Sequence, residues 1–290
     1  MNKYYLICTF LCVLFSTKSY TQNFREGDSL LLDKQYDVAL LAYEKNYFEL
    51  VEFPDTTLSA ISLQEAKNAC LLRKVHCLKA MGKFEEAGKT ALRFDLANLS
   101  DSSQFILRNE LIVNYYLSGF YEDALSQIQQ LRFFVKDSLL TQNSKLWEIL
   151  CLTQLKRYPE AKEVFGAYAS AKNVKMNIDS VFAFEKSNKF KSVKKAATLA
   201  TFLPGAGMLY VGNTTEGLVS LGLQIATLGF GFHNISKGYY LSGFFTGFGL
   251  FQAFYFGGIR RTELLAEQKN RQLIDLYTTK VTKALIALEN

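Results

Sequence analysis

The feature that most constrains this chain is an apolar, glycine-rich window between Ala196 and Ile259. Glu216 and Lys237 are its only acidic or basic residues apart from a histidine, and it holds thirteen of the eighteen glycines. In water, glycine weakens a helix by about 1 kcal/mol relative to alanine. In a bilayer, small residues instead let helix backbones pack closely. The window therefore predicts a transmembrane module over residues 196–260.

Two segments of this window are long enough to cross a bilayer, which takes about 20 apolar residues. They are GLVSLGLQIATLGFGFHNI at 217–235 and YYLSGFFTGFGLFQAFYFGGI at 239–259. The few residues between them favour a tight turn, so an antiparallel two-span hairpin is the simplest arrangement. Such a hairpin also offers a surface for homo- or hetero-oligomers.

The glycines of these segments predict where the two spans touch. Gly243 and Gly247 are four residues apart and share one helix face, which suits helix–helix packing. We expect Gly217, Gly222 and Gly229, which lack side chains, to let the partner helix be approached closely. The C-terminal span ends at Arg260 and Arg261, which would lie at a membrane interface.

The stretch AATLATFLPGAGMLYVG at 196–212 precedes the hairpin. Proline and glycine near its middle should break or kink a helix, which predicts a short interfacial or re-entrant helix; a third span is the alternative. Glu216, just after this stretch, is expected in a turn at the interface.

A motif in this region resembles the opening of small bacterial transmembrane modules of the P-G-x-G-x-x-Y-x-G type, a family of unknown function. The matching residues are Pro204, Gly205, Gly207, Tyr210, Gly212 and, further on, Gly217. Met208 stands where that family usually has glutamine. The resemblance covers about residues 196–260, and it implies a membrane location without implying an activity.

The N-terminal 21 residues have the pattern of a signal peptide. An apolar stretch from Tyr4 to Phe15 is followed by Ser19 and Thr21, small residues that suit cleavage before Gln22. A retained anchor is the alternative. Cleavage would place the following domain outside the cytoplasm.

A short pattern recurs four times in the first half of the chain, with an aromatic residue three positions before an alanine. The pairs are Tyr36 with Ala39, Phe84 with Ala87, Tyr121 with Ala124, and Tyr158 with Ala161. Gly82 and Gly119 precede two of the aromatics by two positions, where glycine lets a helix end in a left-handed turn. The aromatics are 48, 37 and 37 residues apart.

This pattern resembles the tetratricopeptide repeat over about residues 25–170. The resemblance implies a helical-hairpin solenoid whose groove binds a protein partner; a plain helical bundle is the alternative. We take residues 22–175 as the repeat domain. Charged positions within it, such as Arg73, Lys74, Arg108 and Glu110, are interpreted as solvated faces.

Two further segments complete an all-α chain. A basic linker over 176–195 should attract anionic lipid headgroups next to the membrane; its lysines are Lys186, Lys189, Lys191, Lys194 and Lys195. A C-terminal helix over 261–290 carries an apolar stripe formed by Leu273, Tyr277, Val281 and Leu285. We expect that stripe to pack on the repeats or on another subunit.

Catalytic chemistry has little support in the residues. The two histidines, His76 and His233, belong to no triad or metal-ligand spacing, so we assign no catalytic, cofactor-binding or metal-binding residue and expect no enzyme. A formal net charge of only +6 gives little reason to expect nucleic acid. Outside the signal peptide, Cys70, Cys77 and Cys151 are expected to be buried, unpaired thiols.

The sequence is best explained by a membrane-anchored protein–protein interaction scaffold in a bacterial envelope. The repeats would lie in the periplasm, and the module would lie in the lipid of the inner membrane. The alternative is a non-catalytic subunit of an envelope transport or lipid-biogenesis machine that uses the 204–217 motif. Basic residues flank both ends of the hairpin, however, and the positive-inside tendency favours a cytoplasmic location for them.

Overall fold

The computed structural model describes residues 24–54, 58–186 and 189–289, and every regular element in these ranges is helical. The all-α prediction is confirmed. The predicted signal peptide, 1–21, lies outside the described residues. Contacts between Cα atoms divide the chain into two compact units, the first ending at Cys151 and the second beginning at Leu152. The boundary proposed at residue 175 falls inside the second unit.

The first unit contains helices that pack on one another in chain order. They are α1 (Arg25–Leu32), α2 (Tyr36–Glu52), α3 (Ala60–Ala80), α4 (Phe84–Ala91), α5 (Asp101–Leu117), α6 (Tyr121–Phe134) and the start of α7 (Ser138–Gln154). Neighbouring helices from α1 to α6 are in contact throughout this series. Successive helical hairpins therefore form the first unit, as the repeat pattern predicts.

All four turns ahead of the repeated aromatics have the same backbone geometry. The residue two positions before each aromatic has a positive φ angle; these residues are Lys34, Gly82, Gly119 and Lys156. At each turn, one backbone N–H reaches the carbonyl three residues back and the next N–H reaches the carbonyl five residues back. This is a Schellman ending, and each aromatic then begins the next helix. Lysine occupies the left-handed position in the two copies that lack glycine.

The repeated alanines lie at the closest approach of the helices. Ala39, Ala87, Ala124 and Ala161 are completely buried. Around the second hairpin, Leu71, Val75 and Leu111 form a core with two of the alanines of α4. The three cysteines outside the N-terminal segment are buried and free, as expected, and burial raises the pKa of each thiol.

The interpretation of the charged repeat residues as solvated faces is wrong for three of the four. Lys74 and Arg108 are almost fully buried. Lys74 contacts Glu44, and burial, with the nearby Arg93 charge, lowers the pKa of Lys74 to about 8. The aliphatic part of a Lys or Arg side chain can cover apolar surface while its charged group contacts a polar partner. Sequence periodicity alone does not show that such a residue is buried.

Glu110 is also largely enclosed, with 14% of its side chain exposed. Lys79 Nζ donates to one carboxylate oxygen at 2.7 Å, and His76 Nε2 lies 3.5 Å from the other. Burial raises the pKa of Glu110, but the His76 hydrogen bond and the Lys79 charge outweigh it and bring the pKa to about 2. Glu110 is therefore a buried, paired carboxylate that links α3 to α5.

The second unit begins with the end of α7 and continues as further helices. They are α8 (Tyr158–Ala171), α9 (Ile178–Val181), a 3-10 turn (Ala183–Lys186), α10 (Val193–Phe202), α11 (Ala206–Val211), α12 (Thr214–Ser236), α13 (Tyr240–Ser242), a π-helical segment (Gly243–Phe248) and α14 (Gly249–Glu289).

The last three of these elements follow one another without a break. Helical backbone therefore runs from Tyr240 to Glu289, through Arg260 and Arg261. The C-terminal helix predicted over 261–290 is the continuation of the second apolar segment. Lys and Arg are good helix formers, so a change from apolar to charged residues does not end the helix.

The apolar stripe near the C-terminus packs within the second unit. Tyr277, Val281 and Leu285 are buried. The Tyr277 ring stacks on Phe184, with 4.1 Å between the ring centroids. The last turn is attached to α8, where Tyr168 hydrogen-bonds Glu289 and Lys172 lies 3.0 Å from the same carboxylate.

Candidate functional site

The glycine-rich motif begins in the turn between α10 and α11 and extends through α11 to the start of α12. Gly205 has a φ of +83°, in the left-handed region that favours glycine. A side chain there would collide with the Gly217 carbonyl, and a Cβ on Gly217 would lie 3.0 Å from the Gly205 oxygen. The motif's Gly205 and Gly217 thus meet each other, so α11 and the start of α12 are held backbone to backbone.

Gly207 is the point where three helices converge. A Cβ at this position would collide with the Ala196 carbonyl of α10 and lie 2.6 Å from Cγ2 of Thr262 on α14. Met208 is buried in the adjacent cluster with Val211 and Leu265. Met208 is therefore a core residue of the module, and an apolar side chain suits this position better than glutamine would.

Tyr210 connects the motif to the basic linker. Its ring lies beneath the ammonium groups of Lys191 and Lys195, at 4.7 and 5.3 Å from the ring centroid, and its hydroxyl accepts the Ser192 N–H at 3.3 Å. Asn270 on α14 exchanges two 2.8 Å hydrogen bonds with the Lys191 backbone. The linker is thus tied to both α11 and α14.

Glu216 lies in the first turn of α12, where it pairs with Arg261 of α14. Arg261 Nε and Nη2 donate to the two carboxylate oxygens at 2.7 and 2.9 Å. Asn213, the N-cap residue of α12, accepts the Glu216 N–H at 3.2 Å and donates to Glu216 Oε1 at 2.9 Å. The sequence indicated an interfacial carboxylate but did not predict its partner.

The contact between the two apolar segments is made of glycine. A Cβ on Gly247 would collide with the Gly231 backbone, and one on Gly243 would lie 2.8 Å from the Gly231 oxygen. The glycine of α12 that allows this close approach is Gly231, which is not among the glycines predicted from spacing. Among the described residues, no atom of a neighbouring element lies within 4 Å of a Cβ placed on Gly222 or Gly229. Gly217 contacts Gly205 and Leu209 instead of the second segment.

A groove of about 300 Å³ lies between α12 and α14, beside the Glu216–Arg261 pair. Its walls are mostly apolar, with Val219 and Leu223 on α12 facing Ala253, Phe254 and Gly257 on α14. Glu216 stands at the wall nearest the start of α12. Such a groove has the size and composition of a small apolar binding site.

In the described parts of the chain, one helix, Thr214–Ser236, is long and apolar enough to cross a membrane. Only 11% of its apolar window is buried. The second predicted span, 239–259, is helical but contains the π-helical segment. The 196–212 stretch is divided between α10, which has ten residues and begins at Val193, and α11, which has six, and each is well short of a span.

Within the described residues, no three His, Cys, Asp or Glu side chains come together as metal ligands would.

Comparisons with protein families, curated proteins and solved structures found no match to this chain.

Proposed function

We propose that this protein is a membrane-anchored scaffold with two parts. Helical repeats, similar to tetratricopeptide repeats, bind a protein partner outside the cytoplasm of a bacterial cell. The glycine-rich module holds these repeats at the inner membrane. The protein carries out no reaction of its own.

The observation that carries this proposal is the exposed apolar surface of α12. Leu218, Val219, Ile225 and Phe232 are each more than half exposed, although they lie on the helix that is apolar enough to span. A contiguous apolar surface of this kind marks a protein or membrane contact. Lipid is the medium in which these side chains would be buried.

The second apolar segment supports a two-span hairpin. Leu241, Phe244, Phe245 and Phe256 are all exposed on the helical stretch that begins at Tyr240. A π-helical segment keeps its backbone groups hydrogen-bonded within the helix, as a lipid environment requires. Tyr239 and Arg260 bound this stretch with side chains that suit a membrane interface.

The contacts at the end of α14 favour an even number of crossings. α8 precedes the module and the end of α14 follows it, yet Glu289 pairs with Lys172, and Lys280 Nζ donates to the Ser180 carbonyl at 2.8 Å. A two-span hairpin would return the chain to the side of the membrane from which it entered, so these contacts support two spans over three.

The repeat unit offers apolar side chains for a protein partner. Leu41 and Phe48 on α2 are exposed, at 70% and 56%, and their seven-residue spacing places them on the same helix face. Large exposed apolar groups of this kind are typical of the centre of a protein interface.

The anchor is tested by fractionation of the full-length protein. It should sediment with membranes, resist alkaline carbonate and dissolve in detergent, because lipid would cover the exposed apolar face of α12. Recovery in the supernatant after high-speed centrifugation without detergent would exclude the anchor. Accessibility of a tag in the repeats to protease in spheroplasts then tests the extracytoplasmic location.

The scaffold role is tested by in-cell cross-linking and purification in detergent. A partner recovered with the full-length protein should be lost from a Leu41→Ala, Phe48→Ala double variant. Leu139→Ala is the matched control, because Leu139 is also an exposed leucine but lies on α7. Equal recovery with all three proteins would show that α2 is not the binding surface.

One observation favours the second candidate function, a non-catalytic subunit of an envelope transport or lipid-biogenesis machine. The groove between α12 and α14 is lined in part by Glu216, next to the 204–217 motif. Substitution of Glu216 that leaves membrane retention intact but changes lipid composition or transport would favour this role over simple anchoring.

A further inference from the structure

We infer that the groove between α12 and α14 holds one acyl chain of a zwitterionic, amine-bearing phospholipid, whose headgroup binds the Glu216–Arg261 pair. This inference rests on the proposed membrane location of the module. It adds to that proposal a defined lipid class, a defined site and the residues that select the lipid.

The shape and walls of the groove point to a hydrocarbon chain. Its volume, about 300 Å³, is at the lower end of small-molecule sites. The side walls are apolar, and Val219, Leu223 and Phe254 also belong to the exposed face that the proposed function buries in lipid. A molecule that enters from that face comes from the bilayer, and an acyl chain is its most abundant component.

Gly257 keeps the α14 side of the groove open. It is exposed, and in the described structure no atom of a neighbouring element lies within 4 Å of a Cβ placed there. Gly258, by contrast, would place a Cβ 3.3 Å from Ser220 Oγ across the helix contact. A larger residue at 257 would therefore occupy the groove without disturbing the packing of α12 on α14.

The polar end of the groove presents a fixed pair of opposite charges. Two of the five guanidinium N–H donors of Arg261 are used by Glu216. The remaining donors suit a phosphate, which arginine binds through paired hydrogen bonds. Glu216 accepts from Arg261 twice and from Asn213 once, and a carboxylate has about four acceptor sites. One site therefore remains for an ammonium group.

This arrangement selects against a purely anionic headgroup. A phosphate beside Arg261 also lies close to the Glu216 carboxylate, and only a headgroup with its own cation compensates that repulsion. The basic linker has the opposite preference, since lysines attract anionic lipid. The groove and the membrane surface around it should thus differ in the lipid they favour.

The test uses the full-length protein in vesicles of phosphatidylethanolamine and phosphatidylglycerol. Each headgroup is supplied in turn as a trace phospholipid with a photoactivatable diazirine in one acyl chain, and the labelled residues are found by mass spectrometry. Labelling at Val219, Leu223, Ala253 and Phe254 is divided by labelling at Phe230, an exposed residue of the same helix.

The ethanolamine probe should give a normalised groove signal about tenfold above the glycerol probe, the ratio for one charged hydrogen bond. Gly257→Leu should remove the groove signal for both probes. Gly249→Leu, at another open helical glycine, should leave it unchanged. Arg261→Gln and Glu216→Gln should each abolish the headgroup preference, whereas Arg260→Gln should retain it.

The two proposals fail in different ways. If the wild-type protein does not float with the vesicles, the membrane anchor is excluded. If it floats and Phe230 is labelled, but the groove signal is the same for both probes or survives Gly257→Leu, the anchor stands and the lipid site is excluded. Flotation of each variant shows that the substitution has not removed the module from the membrane.

Discussion

In the hairpin repeats, Gly82 and Gly119 have φ angles of +75° and +83°, and within the described structure a Cβ on either would have no neighbouring atom within 4 Å. In the membrane module, Gly207 and Gly247 lie within helical segments, and a Cβ on either would collide with the backbone of another helix. Gly82 and Gly119 of the repeats thus act through backbone freedom, whereas Gly207 and Gly247 of the module act through the missing side chain.

This difference explains why the two regions tolerate other residues differently. Lys34 and Lys156 occupy the left-handed turn position in two of the four hairpins, because the cost of a positive φ for a non-glycine residue is only about 1–2 kcal/mol. A Cβ that collides with the backbone of another helix cannot be accommodated at so small a cost, because one of the two helices must move. The module should therefore be the more sensitive of the two regions to added methyl groups.

The largest effect is expected at Gly207. Gly207→Ala should lower the stability of the module by about 3 kcal/mol, because overpacking forces α10 or α14 to shift. Thermal unfolding of the full-length protein in detergent measures this change. Gly212→Ala is the matched control, since Gly212 has a φ of +95° but open space around it, and it should cost about 1 kcal/mol. Equal losses would contradict the distinction.

Glu110→Gln tests whether a buried charge in the repeats matters as much as a close backbone contact in the module. The change leaves Lys79 without its carboxylate and should cost about 3 kcal/mol. Glu85→Gln, at an exposed carboxylate paired with Lys89, should have a much smaller effect on stability, because solvent screens an exposed ion pair. Chemical denaturation of the full-length protein in detergent measures both, and similar losses would disprove the special role of Glu110.

Glu110 also predicts a dependence of stability on pH. Its pKa is lowered to about 2 in the folded protein, against an ordinary value near 4.5, so the folded state favours the charged form. The contribution of Glu110 to the stability of the folded protein is complete above the ordinary pKa and is lost as the pH falls toward 2. The wild-type protein should lose more stability over this range than Glu110→Gln does.

Gly119→Ala tests the turn geometry of the repeats. It should lower stability by about 1–2 kcal/mol through the positive φ alone. Gly88→Ala, in α4, should have no such cost, because its Cβ would lie 3.8 Å from Asn114 Cβ in an ordinary contact. Urea unfolding measures the stability of both variants. A larger loss for Gly88→Ala than for Gly119→Ala would argue against the Schellman ending.

The smallest expected effect is a gain. Lys34→Gly should stabilise the protein by about 1 kcal/mol, because glycine adopts the φ of +61° without strain. Lys45→Gly, on the exposed face of α2, should instead lose about 1 kcal/mol of helix propensity. A loss at position 34 would show that the lysine side chain contributes more than its backbone conformation costs.

Much of the fold could be predicted because its signals are local. The aromatic–alanine pattern locates the start of α2, α4, α6 and α8, and the proline and glycines at 204–207 mark the break between α10 and α11. One error was also local in origin: the polarity of Lys74 suggested an exposed side chain, but packing buries it. Arg260 and Arg261 end the apolar segment, whereas α14 continues through them.

The candidate site was less accessible to prediction because its contacts join distant residues. Glu216 meets Arg261 across 45 residues, and Gly247 meets Gly231 instead of the glycines selected from spacing. Which glycine of a helix faces its neighbour depends on how the helix is rotated and where the two axes cross. The groove likewise exists only because α12 and α14 lie side by side with Gly257 between them.

The amino-acid sequence by itself determined the helical class, the four hairpin turns and the apolar, glycine-rich character of the module, since periodicity and turn chemistry act over a few residues. Only the tertiary structure decided which glycines touch, which charges are buried and where a groove opens. Those outcomes follow from the packing of helices far apart in the chain, where one methyl group or one ion pair sets the distance between backbones.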